Sequence, residues 1–449
     1  MKAGAHQIRA RLTPARRQAG APERALLPAL LFFLVLVCRS SAVATDTTSS
    51  VTATPKLIRL PSSVTVKSAP DGRRPGLKTG RGLRGVFFNP QVNRIKASEY
   101  PWLLLYPQCR SEVRTHLQEL VSTTDINFVS IFVNIAHSLQ RPSQSPPEGR
   151  PLTAWANTSY WDNVAAFIDD CHTAGVSVEI DLASNLWVPR SVEPKHQIAN
   201  SGHWPLPSEF PWIESAVWYR EAITYIEGKT RHPERIAMWC MMGNYEFGEA
   251  EPCLWDRDDN PAIAASAEKF VKYVWPIFRS AGKRPKAPPI MLPIFSNNPF
   301  WLARSPQARL SGFTNLKKWI VEDLAQPPDY WVMTTYPGCD PAPDGCFYLR
   351  AIIEILGPEN ATRLVSTDLK GPGHEQERRD SIILPDGKAG AELLSWHFQK
   401  NAEYGFAGWW VWSYQDTPTA TTGIRDFAGN WKQDLVQVIK KQAANSANP

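Results

Sequence analysis

The 449-residue sequence predicts an α/β fold, a (β/α)8 TIM barrel, and three observations carry that reading. Short runs of β-branched and aromatic residues alternate eight times with amphipathic stretches from residue 81 onward, the mark of parallel strands joined by helices. Eight units spread over roughly 360 residues leave the surplus that a barrel places in long loops. The other architecture of such units, an open doubly wound sheet, usually carries a Gly-rich turn after its first strand; here Gly85 leads into Val-Phe-Phe-Asn-Pro.

Taken in order, the strands fall at 83–89 (Val86, Phe87, Phe88), 127–135 (Phe128, Val129, Ile131), 176–183 (Val178, Ile180), 236–246 (Ile236, Trp239, Tyr245), 290–296 (Ile290, Ile294, Phe295), 330–336 (Tyr330, Trp331, Val332), 363–369 (Val365, Thr367) and 407–414 (Trp409, Trp410, Val411). Such residues suit a pleated surface that is buried on both faces. The helices fall at 111–121, 160–174, 214–229, 263–280, 315–324, 347–356, 388–404 and 431–441, where apolar residues recur at helical spacing. Composition agrees: 43% hydrophobic residues with 18 Trp are too apolar for a disordered chain, and 39 Pro exclude coiled coils and long helical bundles.

The formal charge of +6 invites a nucleic-acid or anionic-membrane reading, and its distribution removes that reading. Residues 1–44 hold seven bases and one acid, which leaves 42 of each in the rest of the chain. The same segment has a basic start, an apolar run at 25–38 and an Ala-Val-Ala end, so 1–44 is read as a secretory signal peptide. The apolar run has 14 residues including Pro28, short for a span that needs ~20, which favours cleavage over a retained signal anchor. Residues 45–80, rich in Ser, Thr, Pro and Lys, read as a flexible leader, and 81–449 as a single barrel domain. The mature chain is expected to be secreted, extracellular or periplasmic, and monomeric. It is expected to bind no nucleic acid and to keep no stable membrane association. Six Cys follow Cys38; Cys339 and Cys346 bracket a short loop and are the expected disulfide, while Cys240 reads as a buried thiol.

A barrel carries its chemistry at the C-terminal ends of its strands. Those ends are polar and aromatic here: Asn89, His137 beyond the second strand, Asp181 and Trp187 on and after the third, Asn244 and Glu246, Tyr336, Asp368 and Lys370, then Trp412 with Gln415 and Asp416. Flat aromatic faces suit the C–H surfaces of sugar rings, and carboxylates and amides suit their hydroxyls. A carbohydrate substrate is therefore expected, bound by Asn244, Tyr336, Trp412, Trp187, His137, Asn89 and Asp181. Glu246 and Asp368 end the fourth and seventh strands, on opposite sides of an eight-strand ring, as the two carboxyls of glycoside hydrolysis require. Tyr245 and Phe247 would raise the pKa of Glu246 and suit it as general acid. Lys370 would favour an ionised Asp368. No His-x-His, nucleophile elbow or Cys cluster is present, and no metal or cofactor is expected.

The eight-unit pattern, Trp-Cys-Met-Met-Gly-Asn on the fourth strand, Tyr336, and the closing Gly-Trp-Trp-Val-Trp-Ser-Tyr-Gln-Asp with Gly-Ile-Arg-Asp-Phe resemble clan A glycoside hydrolases, nearest to the cellulase/mannanase-like family five. The resemblance spans residues 81–440 at the level of strand order. It implies an O-glycosyl hydrolase with Glu246 as acid/base, Asn244 contacting substrate, Tyr336 touching the nucleophile and Trp412 as sugar platform. Two departures stand out. Tyr245 directly follows Asn244 where the family has the acid/base Glu, and Asp368 stands where the family has a Glu nucleophile. The alternative is a carbohydrate-binding barrel without catalytic activity.

Overall fold

Strands that are largely apolar and buried on both faces have one stable use, a parallel sheet covered on both sides. The computed structural model describes residues 82–92, 107–134, 158–183, 212–241, 261–288, 310, 313–334, 342, 344–370, 390–417 and 421–445. The strands are β1 (Leu83–Phe87), β2 (Phe128–Asn134), β3 (Ser177–Ala183), β4 (Ile236–Cys240), β5 (Lys286–Ala287), β6 (Trp331–Thr334), β7 (Leu364–Lys370) and β8 (Gly408–Trp412). They form one parallel sheet in the order β5-β4-β3-β2-β1-β8-β7-β6. β1 lies between β2 and β8, so the first and last strands are neighbours and the sheet rolls into the predicted barrel.

The helices are α1 (Arg110–Thr124), α2 (Thr158–Ala174), α3 (Trp212–Lys229), α4 (Pro261–Ser280), the π-helical turn α5 (Lys317–Asp323), α6 (Phe347–Leu356), α7 (Ala391–Glu403) and α8 (Gln433–Asn445). They cover the outer face of the sheet. Val129, Ile131, Trp239, Leu364 and Val411 pack outward into one large cluster with the helices. Phe87, Phe128, Phe132, Met238, Trp410 and Trp412 form a separate cluster, the barrel interior. Gly85 is what lets Phe128 in: a Cβ at position 85 would meet the Phe128 ring at 2.1 Å. Among the described residues no helix is long and apolar enough to cross a membrane.

The ring closes between β5 and β6 by other means than a regular ladder. The Asp329 and Tyr330 amides donate to Lys286 O at 2.9 and 3.4 Å, and the Lys286 amide donates to Asp329 Oδ2 at 2.7 Å. Arg279 pairs with the same carboxylate at 2.9 Å. Asp329 thus supplies from its side chain the acceptor that a backbone carbonyl supplies elsewhere in the sheet.

Element positions follow the sequence to within a few residues, with two departures. The fifth strand is at 286–287, ahead of the expected 290–296, which lies outside the described residues. The fifth helical segment widens into a π turn, an inserted residue that apolar spacing does not register. Residues 1–44, 45–80 and Cys339 lie outside the described residues. Cys346 is buried ahead of α6 with its thiol donating to Asp344 O at 3.2 Å, and Cys240 is a buried thiol as read from the sequence.

Lys286 is 1% exposed, and burial pulls its ammonium pKa down to about 8. An unfolded chain keeps that proton to its ordinary value of 10.5. Between these values the unfolded state binds more protons, so stability gains a contribution as pH rises from about 8 to 10.5. Urea unfolding of wild type and Lys286→Met across this window should show that rise in wild type and its loss in the variant. Parallel profiles would refute the assignment.

Candidate active site

The C-terminal mouth of the barrel is best described where β8 meets β1. The indole of Trp412 stacks on Phe87, with ring centroids 4.3 Å apart and planes at 11°. Phe132 lies 6.3 Å from the same indole, and Trp412 is 5% exposed. Phe87 therefore covers one face of Trp412, and any sugar-platform role falls to the opposite face. The Trp412–Ser413 peptide is cis.

Beyond Trp412 the chain is tied to the end of β1. The Tyr414 amide donates to Phe87 O at 2.8 Å. Asn89 Nδ2 donates to Gln415 O and Asn89 Oδ1 accepts from the Gln415 amide, both at 3.0 Å. One side-chain amide thus pairs with one residue's backbone as a strand residue would. The Gln91 amide donates to Gln415 Oε1 at 2.9 Å. Asn89, expected to contact substrate, is 2% exposed, and both ends of its amide bond the Gln415 backbone, which ties the β8 loop to the end of β1.

The loop then folds back on itself. Ile424 and Arg425 amides donate to Ser413 O and Tyr414 O at 2.8 and 3.0 Å. Gly423 permits that approach, since a Cβ there would sit 2.4 Å from the Asp416 nitrogen. Asp416 accepts from the Gly423 amide and from Lys432 Nζ, each at 2.8 Å, while burial holds its carboxyl above the ordinary range. Behind the loop, Arg425 reaches Glu119 at 3.0 Å and the Tyr414 hydroxyl at 2.5 Å, with its guanidinium carbon 4.9 Å from the Trp431 ring centroid. Burial and then the Arg425 charge depress the pKa of His116, so its neutral ring donates from Nε2 to Gln91 O at 3.2 Å. Its Nδ1 is left as acceptor for Arg425 and the Tyr414 hydroxyl. Burial pushes the Tyr414 phenol well above its usual value, which keeps it neutral. The sequence singled out Gln415 and Asp416 as strand-end residues; the brace of Arg425, His116 and Tyr414 left no local signal beyond the Gly-Ile-Arg-Asp-Phe phrase.

Across the barrel, β3 carries Glu179 and Asp181, both fully buried. Cys240 on β4 donates its thiol to Glu179 Oε1 at 3.0 Å. Burial raises the Cys240 pKa well above its ordinary value, and the nearby Glu179 and Asp181 charges add to that. Asp181 thus stands inside the barrel, in register with Phe132 and Cys240. Asp368 lies on β7 between Thr367 and Leu369, where the β7–β8 register shifts by one residue. Thr367 donates to Met333 O at 3.1 Å and ties β7 to β6 just before it. Glu246, Asn244, Tyr336, Trp187 and His137 lie outside the described residues.

No protein-family model and no curated protein matches this chain. Solved structures do. A GH5_18 glycoside hydrolase from Bifidobacterium longum subsp. infantis aligns with TM-score 0.53 at 12% identity, covering 82% of this chain and 80% of that one. The GH5_18 of Streptomyces cattleya, in complex with GlcNAc, aligns with TM-score 0.53 at 11% identity over 82% of this chain and 81% of its own. A variant of the latter in complex with Manβ1-4GlcNAc gives the same values. At these identities the likeness establishes the barrel fold.

The Asn89–Gln415 pair yields a direct check. Asn89→Asp keeps an acceptor for the Gln415 amide and turns a carboxylate oxygen toward Gln415 O. A buried carbonyl left without its donor should cost about 1–3 kcal/mol, read from the chemical-denaturation midpoint. An unchanged midpoint would show that the pair does not hold the loop.

Proposed function

We propose that this chain is a secreted O-glycosyl hydrolase acting on a β-linked oligosaccharide or polysaccharide at the C-terminal mouth of its barrel. The observation that carries the proposal is Trp412, held rigidly by Phe87 and by the braced β8 loop at the tip of a glycoside-hydrolase-like barrel. A preorganised aromatic face there suits a sugar ring. In this reading Glu246 protonates the glycosidic oxygen, and Asp368 attacks the anomeric carbon or activates a water. Strand placement supports the pairing: four strands separate β4 from β7 on one side of the ring and two on the other. Asn244, Tyr336, Trp187, His137 and Asp181 bind the sugar in this reading, with Asn89 acting through Gln415. The signal at 1–44 accounts for export and for the +6 charge of the full chain.

Manβ1-4GlcNAc is the first substrate to try, because a barrel of the same fold was crystallised with it. The test is hydrolysis of a panel of β-linked glycans, including that disaccharide, by wild type, Glu246→Gln and Asp368→Asn. Wild type should turn over at least one glycan, and each variant should lose roughly 10²–10⁴-fold in kcat/KM. Turnover retained by both variants would disprove the carboxyl assignment. Glycan binding without hydrolysis at any pH would identify the barrel as a carbohydrate-binding protein and refute the enzyme reading.

A further inference from the structure

The opposite end of the barrel holds a cluster that sugar chemistry does not use. His172 occupies the last turn of α2, and His232 and Glu234 lie in the turn that leads into β4. One ligand-type atom from each comes within 4.8 Å of the others. Glu234 Oε1 is 3.1 Å from His232 Nδ1 and 3.6 Å from His172 Nδ1. The two imidazoles are stacked, with centroids 3.4 Å apart and planes at 3°.

We propose that His172, His232 and Glu234 form a binding site for a divalent ion of the zinc class, with water as the fourth ligand. Zinc bonds of ~2.0–2.2 Å in a tetrahedron separate neighbouring ligand atoms by ~3.3–3.5 Å. The two nitrogen–oxygen separations of 3.1 and 3.6 Å bracket that value, so the cluster needs little rearrangement of the backbone to accept an ion. Two imidazoles and one carboxylate suit zinc; magnesium and calcium prefer sets made of oxygen. All three side chains are partly exposed, so a hydrated ion can reach them.

Two local changes accompany binding. Arg235 Nε donates to His172 Nδ1 at 3.2 Å, which identifies that nitrogen as an acceptor bearing the lone pair a metal requires. The ion displaces this hydrogen bond and the one His232 Nδ1 donates to Glu234 Oε1, the His232 ring proton moving to Nε2. One imidazole also turns about its Cβ–Cγ bond, because lone pairs on parallel rings do not converge. The bound ion would fasten the end of α2 to the entry of β4. This is the N-terminal face of the barrel, where such a link contributes to stability and not to catalysis.

Isothermal titration of the full chain with Zn2+, with Mg2+ as control, tests the site. Wild type should bind one Zn2+, and His172→Ala and His232→Ala should each weaken binding by at least about tenfold. Zn2+ should raise the thermal midpoint of wild type and leave the double variant unmoved. Co2+ titration of wild type provides a readout that needs no variant: visible d–d bands of a four-coordinate nitrogen/oxygen site are expected. Absence of Zn2+ binding, equal binding of Mg2+, or affinity unchanged in both His variants would overturn the proposal.

Discussion

Closure of the parallel sheet is the constraint on which the rest of this molecule depends. A strand buried on both faces cannot leave its edge open to water without stranding amides and carbonyls, and a ring removes every edge. Here β1 and β8 close one side with a regular ladder. β5 is only two residues long and cannot do the same. Asp329 completes the seam by giving its carboxylate to the Lys286 amide and its own amide to Lys286 O. Burying Lys286 at that seam depresses its pKa, the electrostatic cost of using a charged residue there.

Once the ring is closed, its interior must be filled and its strand tips must converge. Phe87, Phe128, Phe132, Trp410 and Trp412 fill it, with Gly85 yielding space to Phe128. The stack of Phe87 on Trp412 is thus both core packing and the preparation of an aromatic surface at the mouth. Behind it, backbone ties from Phe87, the Asn89 amide and the Arg425–His116–Tyr414 group fix the loop that follows β8. Rigidity at the mouth is inherited from rigidity in the wall, because the same residues belong to both.

The barrel was legible in the sequence because strands buried on both faces are continuous apolar runs, and eight of them between amphipathic stretches admit few architectures. β5 was not legible there because its two residues are Lys286 and Ala287: it pairs with β4 through the backbone, but toward β6 its amide donates to the Asp329 side chain. Trp412 was legible as a strand-tip aromatic, while its partner Phe87 looked like any core residue. Asn89 was placed correctly at a strand end, while its pairing with Gln415 was not legible. A polar residue at such a tip can face a ligand or replace a peptide group for a neighbouring loop, and only the partner at 3.0 Å distinguishes these. The metal-type cluster escaped notice because His172 and His232 are 60 residues apart and meet only through the packing of α2 against the turn before β4.

The central claim is that sugar lies against Trp412 between the carboxyls of residues 246 and 368. A crystal structure of Glu246→Gln soaked with Manβ1-4GlcNAc tests it most directly. The account requires one ring of the disaccharide on the Trp412 face opposite Phe87, with the side chains of residues 246 and 368 flanking the glycosidic oxygen within ~10 Å of each other. A disaccharide bound elsewhere, or one whose linkage lies beyond reach of both side chains, would contradict it.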